Sequence, residues 1–186
     1  TTQGVYRFNG EKIRKYNLPY RLRQSSHYIN DIFGDNEDRI WIITSQGASY
    51  YEYGKDSLQM FLRHNLPVKA SIITAKDDSL LIPITDTLLI YNKKLQFSQA
   101  VPFQTPRTHI LKMLPFDSRH YLIINSKWEI KLLNIHTGEI THAPFQETDN
   151  VYDLYQDTSR RYWISLYGQG VKCYSQEGKL LTTYNT

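Results

Sequence analysis

The chain has a single cysteine, Cys173, among its 186 residues, which excludes an internal disulfide and any zinc site built on cysteines. No run approaches the roughly 18 to 20 apolar residues a membrane helix needs, and Thr1-Thr2-Gln3-Gly4 has no signal-peptide character, so export or membrane elements of a parent protein are expected outside this stretch. Charge of one sign is scarce as well. The 22 basic and 18 acidic residues leave a net charge of +4, dispersed without the long basic run of a nucleic-acid arm, and no contact with nucleic acid is expected. A Gly-x-Ser-x-Gly elbow, a His-Glu-x-x-His helix and a glycine-rich phosphate loop are all missing, so no catalytic residue, metal site or cofactor is expected. Long stretches with apolar residues three and four apart are missing too, which argues against helical repeats.

Aromatic and β-branched residues are plentiful. The chain holds 15 tyrosines and is 13% aromatic, with many Ile, Val and Thr, the set that packs well on pleated, half-buried surfaces and points to an all-β fold. Cys173 reads as a small packed hydrophobe in one of these strands.

The strongest signal is self-similarity. Ile29-Asn30-Asp31-Ile32-Phe33-Gly34-Asp35, followed by Arg39-Ile40-Trp41-Ile42-Ile43-Thr44 and Gly47-Ala48-Ser49-Tyr50-Tyr51, matches Val151-Tyr152-Asp153-Leu154-Tyr155-Gln156-Asp157, followed by Arg161-Tyr162-Trp163-Ile164-Ser165 and Gly170-Val171-Lys172-Cys173-Tyr174. The two tryptophans stand 122 residues apart, three steps of nearly 41. Degenerate copies occupy the interval, with Ser79-Leu80-Leu81-Ile82-Pro83-Ile84 and Tyr121-Leu122-Ile123-Ile124 at the expected places, and Val5-Tyr6-Arg7-Phe8 opens the chain as a partial copy. Four short strands in about 41 residues is the dimension of a β-propeller blade. The expected blades are residues 1–17 as a half blade, then 27–65, 69–101, 108–145 and 150–186, about four and a half in all. That is short of a closed ring, so the isolated segment is expected to expose faces and edges that further blades of the same chain cover.

The turn Asp35-Asn36-Glu37-Asp38 lacks the alternating ligands of a calcium loop and reads as a hairpin turn, as do Asp77-Asp78 and Asp157-Thr158-Ser159. Trp41 and Trp163, at one internal strand position in two blades, read as packing between neighbouring sheets.

An Ile/Val-rich strand ending in Asp, a turn, then Ile-Trp-Ile-Ile-Thr and Gly-Ala-Ser-Tyr-Tyr resembles the two-component-regulator propeller repeat of the periplasmic half of hybrid two-component sensor histidine kinases, especially those of Bacteroides-type bacteria that respond to polysaccharide breakdown products. The units around Trp41 and Trp163 and the opening Gly4-Val5-Tyr6-Arg7-Phe8-Asn9-Gly10 carry the resemblance; the central units depart from it, with Leu81 and Leu122 where Trp stands. The resemblance implies seven-bladed propellers, an immunoglobulin-like domain, a membrane span and cytoplasmic kinase, receiver and DNA-binding modules. It further implies a homodimeric parent in the inner membrane, with this segment in the periplasm and without enzymatic activity of its own. No kinase nucleotide-binding motif occurs, and none of the six histidines lies in a phosphoacceptor helix pattern.

In a blade, the turns between strands 2 and 3 and the connections between blades gather on one face. That face is expected to carry Tyr20, Arg21, Arg23, Arg107, Trp128, Tyr167 and Gln169. Arginine forks bind carboxylate or sulfate and aromatic faces stack on sugar rings, so an oligosaccharide, acidic if the arginines decide, is the expected ligand. A propeller enzyme acting on polysaccharide, a lyase or glycosidase, and a protein-interaction scaffold are the alternatives.

Overall fold

Short apolar runs broken by Asp, Asn and Gly yield strands and one 3-10 turn, Tyr53–Lys55, in a computed structural model that describes residues 5–18, 29–44, 46–63, 73–74, 79–105, 109–145 and 150–185. The strands are β1 (Val5–Phe8), β2 (Ile13–Tyr16), β3 (Ile29–Gly34), β4 (Ile40–Thr44), β5 (Gly47–Glu52), β6 (Ser57–Arg63), β7 (Ile73–Thr74), β8 (Leu80–Ile84) and β9 (Thr87–Tyr91). They continue with β10 (Phe97–Pro102), β11 (Ile110–Pro115), β12 (His120–Asn125), β13 (Ile130–Asn134), β14 (Ile140–His142), β15 (Val151–Gln156), β16 (Tyr162–Leu166), β17 (Gly170–Tyr174) and β18 (Leu180–Tyr184). Four antiparallel sheets of four strands follow one another along the chain, β3 to β6, β7 to β10, β11 to β14 and β15 to β18, and β1 pairs with β2 ahead of them. These are the blades of a propeller.

Each blade is apolar on both faces, because alternate residues of a strand point to opposite sides. Trp41 and Ile43 of β4 face the next blade, where they pack with Leu80 and Ile82 of β8. Ile42, between them, faces back and packs with Tyr51, Tyr16 and Leu18. Leu81 in turn faces forward, against Tyr121 and Ile123 of β12. Leu122 and Ile124 face Tyr162, Ile164 and Leu166 of β16. Each such side chain taken from water contributes about 1.5–3 kcal/mol, and a blade without neighbours forfeits that on both sides.

Glycine is required where blades touch through their backbones. A Cβ on Gly138 would lie 1.9 Å from the carbonyl oxygen of Pro102, and one on Gly178 1.9 Å from that of Pro144, so the turns before β14 and β18 press directly on the exit of the preceding blade. The β1–β2 hairpin is fastened to the first blade through Asp56, whose Oδ1 accepts hydrogen bonds from the hydroxyls of Tyr16 and Tyr51, both at 2.6 Å. Arg14 forms an ion pair with the same carboxylate, and Arg7 donates to the Tyr51 hydroxyl at 2.9 Å. The bond to Asp56, helped by burial, raises the pKa of Tyr51.

The acidic turns are hairpin turns, as their composition suggests. Asp35 Oδ1 accepts the backbone N–H groups of Glu37 and Arg39 at 2.9 and 3.0 Å, while Oδ2 accepts Arg39 Nε at 2.6 Å and Trp41 Nε1 at 2.7 Å. Asp157 repeats the arrangement with Ser159, Arg161 and Trp163, its Oδ2 lying 2.9 Å from the indole Nε1. In both, the guanidinium also lies over the indole, at 5.8 and 5.6 Å from the ring centre. In the third blade, where Leu122 replaces the tryptophan, Asp117 keeps the turn through the N–H groups of Arg119 and His120. Asp77-Asp78 lies outside the described residues.

Trp41 is fully buried, ringed by Phe33, Tyr50 and Phe61 with centroids 6.3, 5.2 and 5.2 Å away. Trp163 is half-buried, on the face of β16 that points away from the third blade, the face on which no further sheet follows among the described residues. It lies on the opposite face of β16 from Tyr162 and Ile164, beside the exposed Tyr155, and stacks on Tyr184 at 6.0 Å. Trp41 has the next sheet across its face, and Trp163 holds the corresponding position on the sheet that comes last among the described residues.

Two outcomes are expected. Trp41→Ala will destabilise the fold by roughly 3–5 kcal/mol through cavity formation, in denaturant titrations followed by circular dichroism. A loss under about 0.5 kcal/mol, as for a surface position, would refute the assignment. Burial works to raise the carboxyl pKa of Asp35, yet the bonds from Trp41 and Arg39 outweigh it and hold the value below the usual range. The bond from Trp163 brings Asp157 down to about 2. Because the folded-state values are depressed, this stabilisation is complete above the unfolded value near pH 4 and lost as pH falls toward about 2. Asp35→Asn should destabilise by about 1–3 kcal/mol at neutral pH, and Asp35→Asn combined with Asp157→Asn should flatten the stability profile between those two pH values.

Candidate functional site

The turn from Asn125 to Glu129 joins β12 and β13 and belongs to a recurring type. Asn125 Oδ1 accepts the N–H groups of Lys127 and Glu129, both at 3.0 Å, and the fourth residue, Trp128, takes φ 62°. Turns starting at Asp35, Asn92 and Asp157 place Asp38, Leu95 and Arg160 at φ 56°, 63° and 60°. A left-handed conformation at this point suits a three-residue hairpin loop and favours glycine, so a tryptophan there is held at a local cost. The turn lifts the indole to the end of the blade where strand 2 passes into strand 3.

Tyr152 arrives by another route. The pairing of β15 with β16 shifts between Val151 and Asp153, so Tyr152 is the extra residue of a β-bulge and is turned outward. The same shift falls at residue 30 in β3 and residue 111 in β11. Asp153 secures the bulge, its Oδ1 accepting the N–H of Leu154 at 2.8 Å, and pairs with Lys112 of the preceding blade. Asn150, just ahead, is itself left-handed at φ 58°.

Backbone bonds tie these segments together. Val151 N–H donates to the carbonyl of Trp128 at 2.8 Å, and Tyr167 N–H to that of Asn150 at 3.0 Å. Trp128 of one blade and Asn150, Tyr152 and Tyr167 of the next consequently line a single pocket of about 290 Å³. The rings of Trp128 and Tyr152 are parallel to within 1° with centroids 5.7 Å apart, an offset stack. Tyr167 is 80% exposed and stands free of the apolar core. Among the described residues no charged side chain lines the pocket, and none of them form a cluster of three His, Cys, Asp or Glu able to hold a metal.

Two of the expected site residues, Trp128 and Tyr167, are thus brought together. Gln169 is not with them: its N–H bonds back to Leu166 O at 3.2 Å, and its side chain borders a separate groove with Lys172, Thr183 and Asn185. Tyr20, Arg21, Arg23 and Arg107 lie outside the described residues. Asn150 and Tyr152 were not anticipated. The signal for Tyr152 was the interval of three between the buried residues Val151 and Leu154, repeated at Ile110 and Met113, which breaks strict alternation and marks a bulge.

The chain shares its propeller fold with several solved structures. It superposes on the extracellular domains of two putative hybrid two-component systems of B. thetaiotaomicron with TM-scores of 0.75 and 0.71, at 16% and 17% identity, over 100% and 99% of this chain and 28% of each of theirs. It therefore spans less than a third of the length of those domains. A catalytically inactive variant of virginiamycin B lyase from Staphylococcus aureus, solved with quinupristin, superposes at a TM-score of 0.69 with 10% identity, over 97% of this chain and 62% of that one. No protein-family model and no curated protein matches the sequence. No helix among the described residues is long and apolar enough to cross a membrane. The propeller architecture is shared by sensors and an enzyme, so function has to be argued from the site.

The stack can be checked without a ligand. Tyr152→Ala should cost about 0.5–1.5 kcal/mol and shift tryptophan emission to longer wavelength as Trp128 gains water. Emission unchanged in this variant would contradict the pairing.

Proposed function

We propose that these blades belong to the extracytoplasmic, periplasmic propeller of a hybrid two-component sensor, which binds an oligosaccharide on the face of the strand 2–3 turns and controls genes for polysaccharide use. The observation that carries the reading is the pocket of Trp128, Tyr152 and Tyr167. Flat aromatic faces offered to solvent from loops on a rigid scaffold suit sugar rings. The shared fold of the two B. thetaiotaomicron domains supports a sensor role, and the parent is then a homodimeric inner-membrane protein whose seven-bladed rings contain further blades. Arg21, Arg23 and Arg107 would extend the site toward acidic groups.

A second reading is an enzyme acting on polysaccharide, since the propeller architecture also serves a lyase. Isothermal titration of the complete ectodomain against neutral and acidic oligosaccharides, with product analysis of the same mixtures, separates the two. Binding without turnover is expected. Any turnover would move the protein to the enzyme class, and failure of Arg21→Ala, Arg23→Ala and Arg107→Ala together to weaken an acidic sugar would remove the arginines from the site.

A further inference from the structure

We infer that the pocket between the third and fourth blades is a selective subsite for an uncharged ring with a flat apolar face, and that Trp128 and Tyr167 determine that selectivity. The inference rests on the ligand-sensing reading but narrows it, because it assigns the described pocket to a neutral ring.

Four features support it. Among the described residues the lining consists of three aromatic side chains and one neutral amide, Asn150, which can donate and accept a hydrogen bond at the edge of a ring but offers no charge. A carboxylate or sulfate entering such a lining would lose water and gain no ionic partner among the described residues, which is unfavourable. The volume of about 290 Å³ is at the small end for ligand pockets, suited to one ring at the end of a ligand and too small to enclose a long chain. The rings are also held in advance. Trp128 is set by its turn and by stacking on Tyr152 at 5.7 Å, and its carbonyl is anchored by Val151 N–H at 2.8 Å, so little ordering is left for the moment of binding.

The position of Trp128 gives the hypothesis an unusual handle. At φ 62° glycine is the residue the backbone prefers, so Trp128→Gly deletes the ring while keeping the turn. Leu95 occupies the corresponding position of another turn and packs into the core, whereas Trp128 lies on the pocket, and this distinguishes a side chain kept for packing from one kept for contact. Tyr167, 80% exposed, can be changed to Ala with little effect on folding.

A pyranose and an aromatic compound share the required flat, uncharged face, and the test separates them. The intact protein carrying these residues is titrated with maltose, cellobiose, indole and digalacturonic acid, alone and as Trp128→Gly, Tyr167→Ala and Tyr167→Phe, with the melting temperature of each variant recorded. The expected result is binding of a neutral ligand that weakens roughly tenfold or more in Trp128→Gly and Tyr167→Ala and survives in Tyr167→Phe, with little change in melting temperature for the Tyr167 variants and a decrease in Trp128→Gly no larger than that of Tyr152→Ala, which loses the same stack. Binding of indole with no affinity for any sugar, lost in the same variants, would uphold the subsite and overturn the oligosaccharide reading. Sugar binding indifferent to both variants would leave the sensor standing and overturn the subsite. Digalacturonic acid binding through Trp128 and Tyr167 as tightly as the neutral disaccharides would overturn the selectivity.

Discussion

Leu80 and Ile82 closing over Trp41 is the contact on which the rest of the architecture depends, because a sheet with two apolar faces has no stable existence in water by itself. Each blade solves the problem by lending one face to the blade before it and the other to the blade after it. Alternation along the second strand carries out this division with single-residue resolution: Leu81 and Leu122 point one way, while Leu80 and Ile123 point the other. A slip of one residue in the register of β8 would exchange the two faces and bring Leu81 against Trp41, which is why the pairings of Leu81 with Ile90 and of Ile82 with Leu89 matter more than the identity of either side chain.

The fold was legible because it repeats. Trp41 and Trp163 marked two blades, and the period of nearly 41 located the central pair even though Leu81 and Leu122 had replaced the marker. Packing was less legible. Trp41 and Trp163 share the Asp bond, the overlying guanidinium and the strand position, as the repeat implies, but the side chains that enclose Trp41, Leu80 and Ile82, belong to the following blade, whose copy of the repeat is degenerate. Half of the described site was legible for a related reason. Turn topology put Trp128 and Tyr167 on one face, but it carries no angular information: the chain reverses at Gly168, φ 70°, and sends Gln169 to another groove. Tyr152 escaped because a bulge is a fault in periodicity, and a search for regular alternation passes over it.

One turn geometry serves two ends of the molecule. Where its left-handed position falls on Asp38 or Arg160 it tightens a hairpin whose leading Asp carboxylate binds an indole; where it falls on Trp128 it presents an indole instead. The local cost is similar in each case, since φ varies only from 56° to 63°. What differs is the first residue. Aspartate can accept Arg and Trp donors in addition to two backbone N–H groups, whereas Asn125 uses its amide on Glu129 Oε2 at 2.7 Å.

Placing the pocket at a joint between blades has a mechanical consequence. Its parts come from two sheets that otherwise meet through a core of aliphatic and aromatic side chains, including Leu122, Ile124, Tyr162 and Ile164. That core is non-directional, so it resists separation better than it resists sliding. The directional restraint at this end of the joint comes from the bond between Val151 N–H and Trp128 O and from the Lys112–Asp153 ion pair. A ring lying against Trp128 on one side and Tyr167 on the other would add a third restraint across the same joint, in the plane where sliding occurs. Occupancy would then be linked to the relative placement of two blades without any loop having to fold, and the small change available to such a rigid assembly is a change in how the blades are seated against each other.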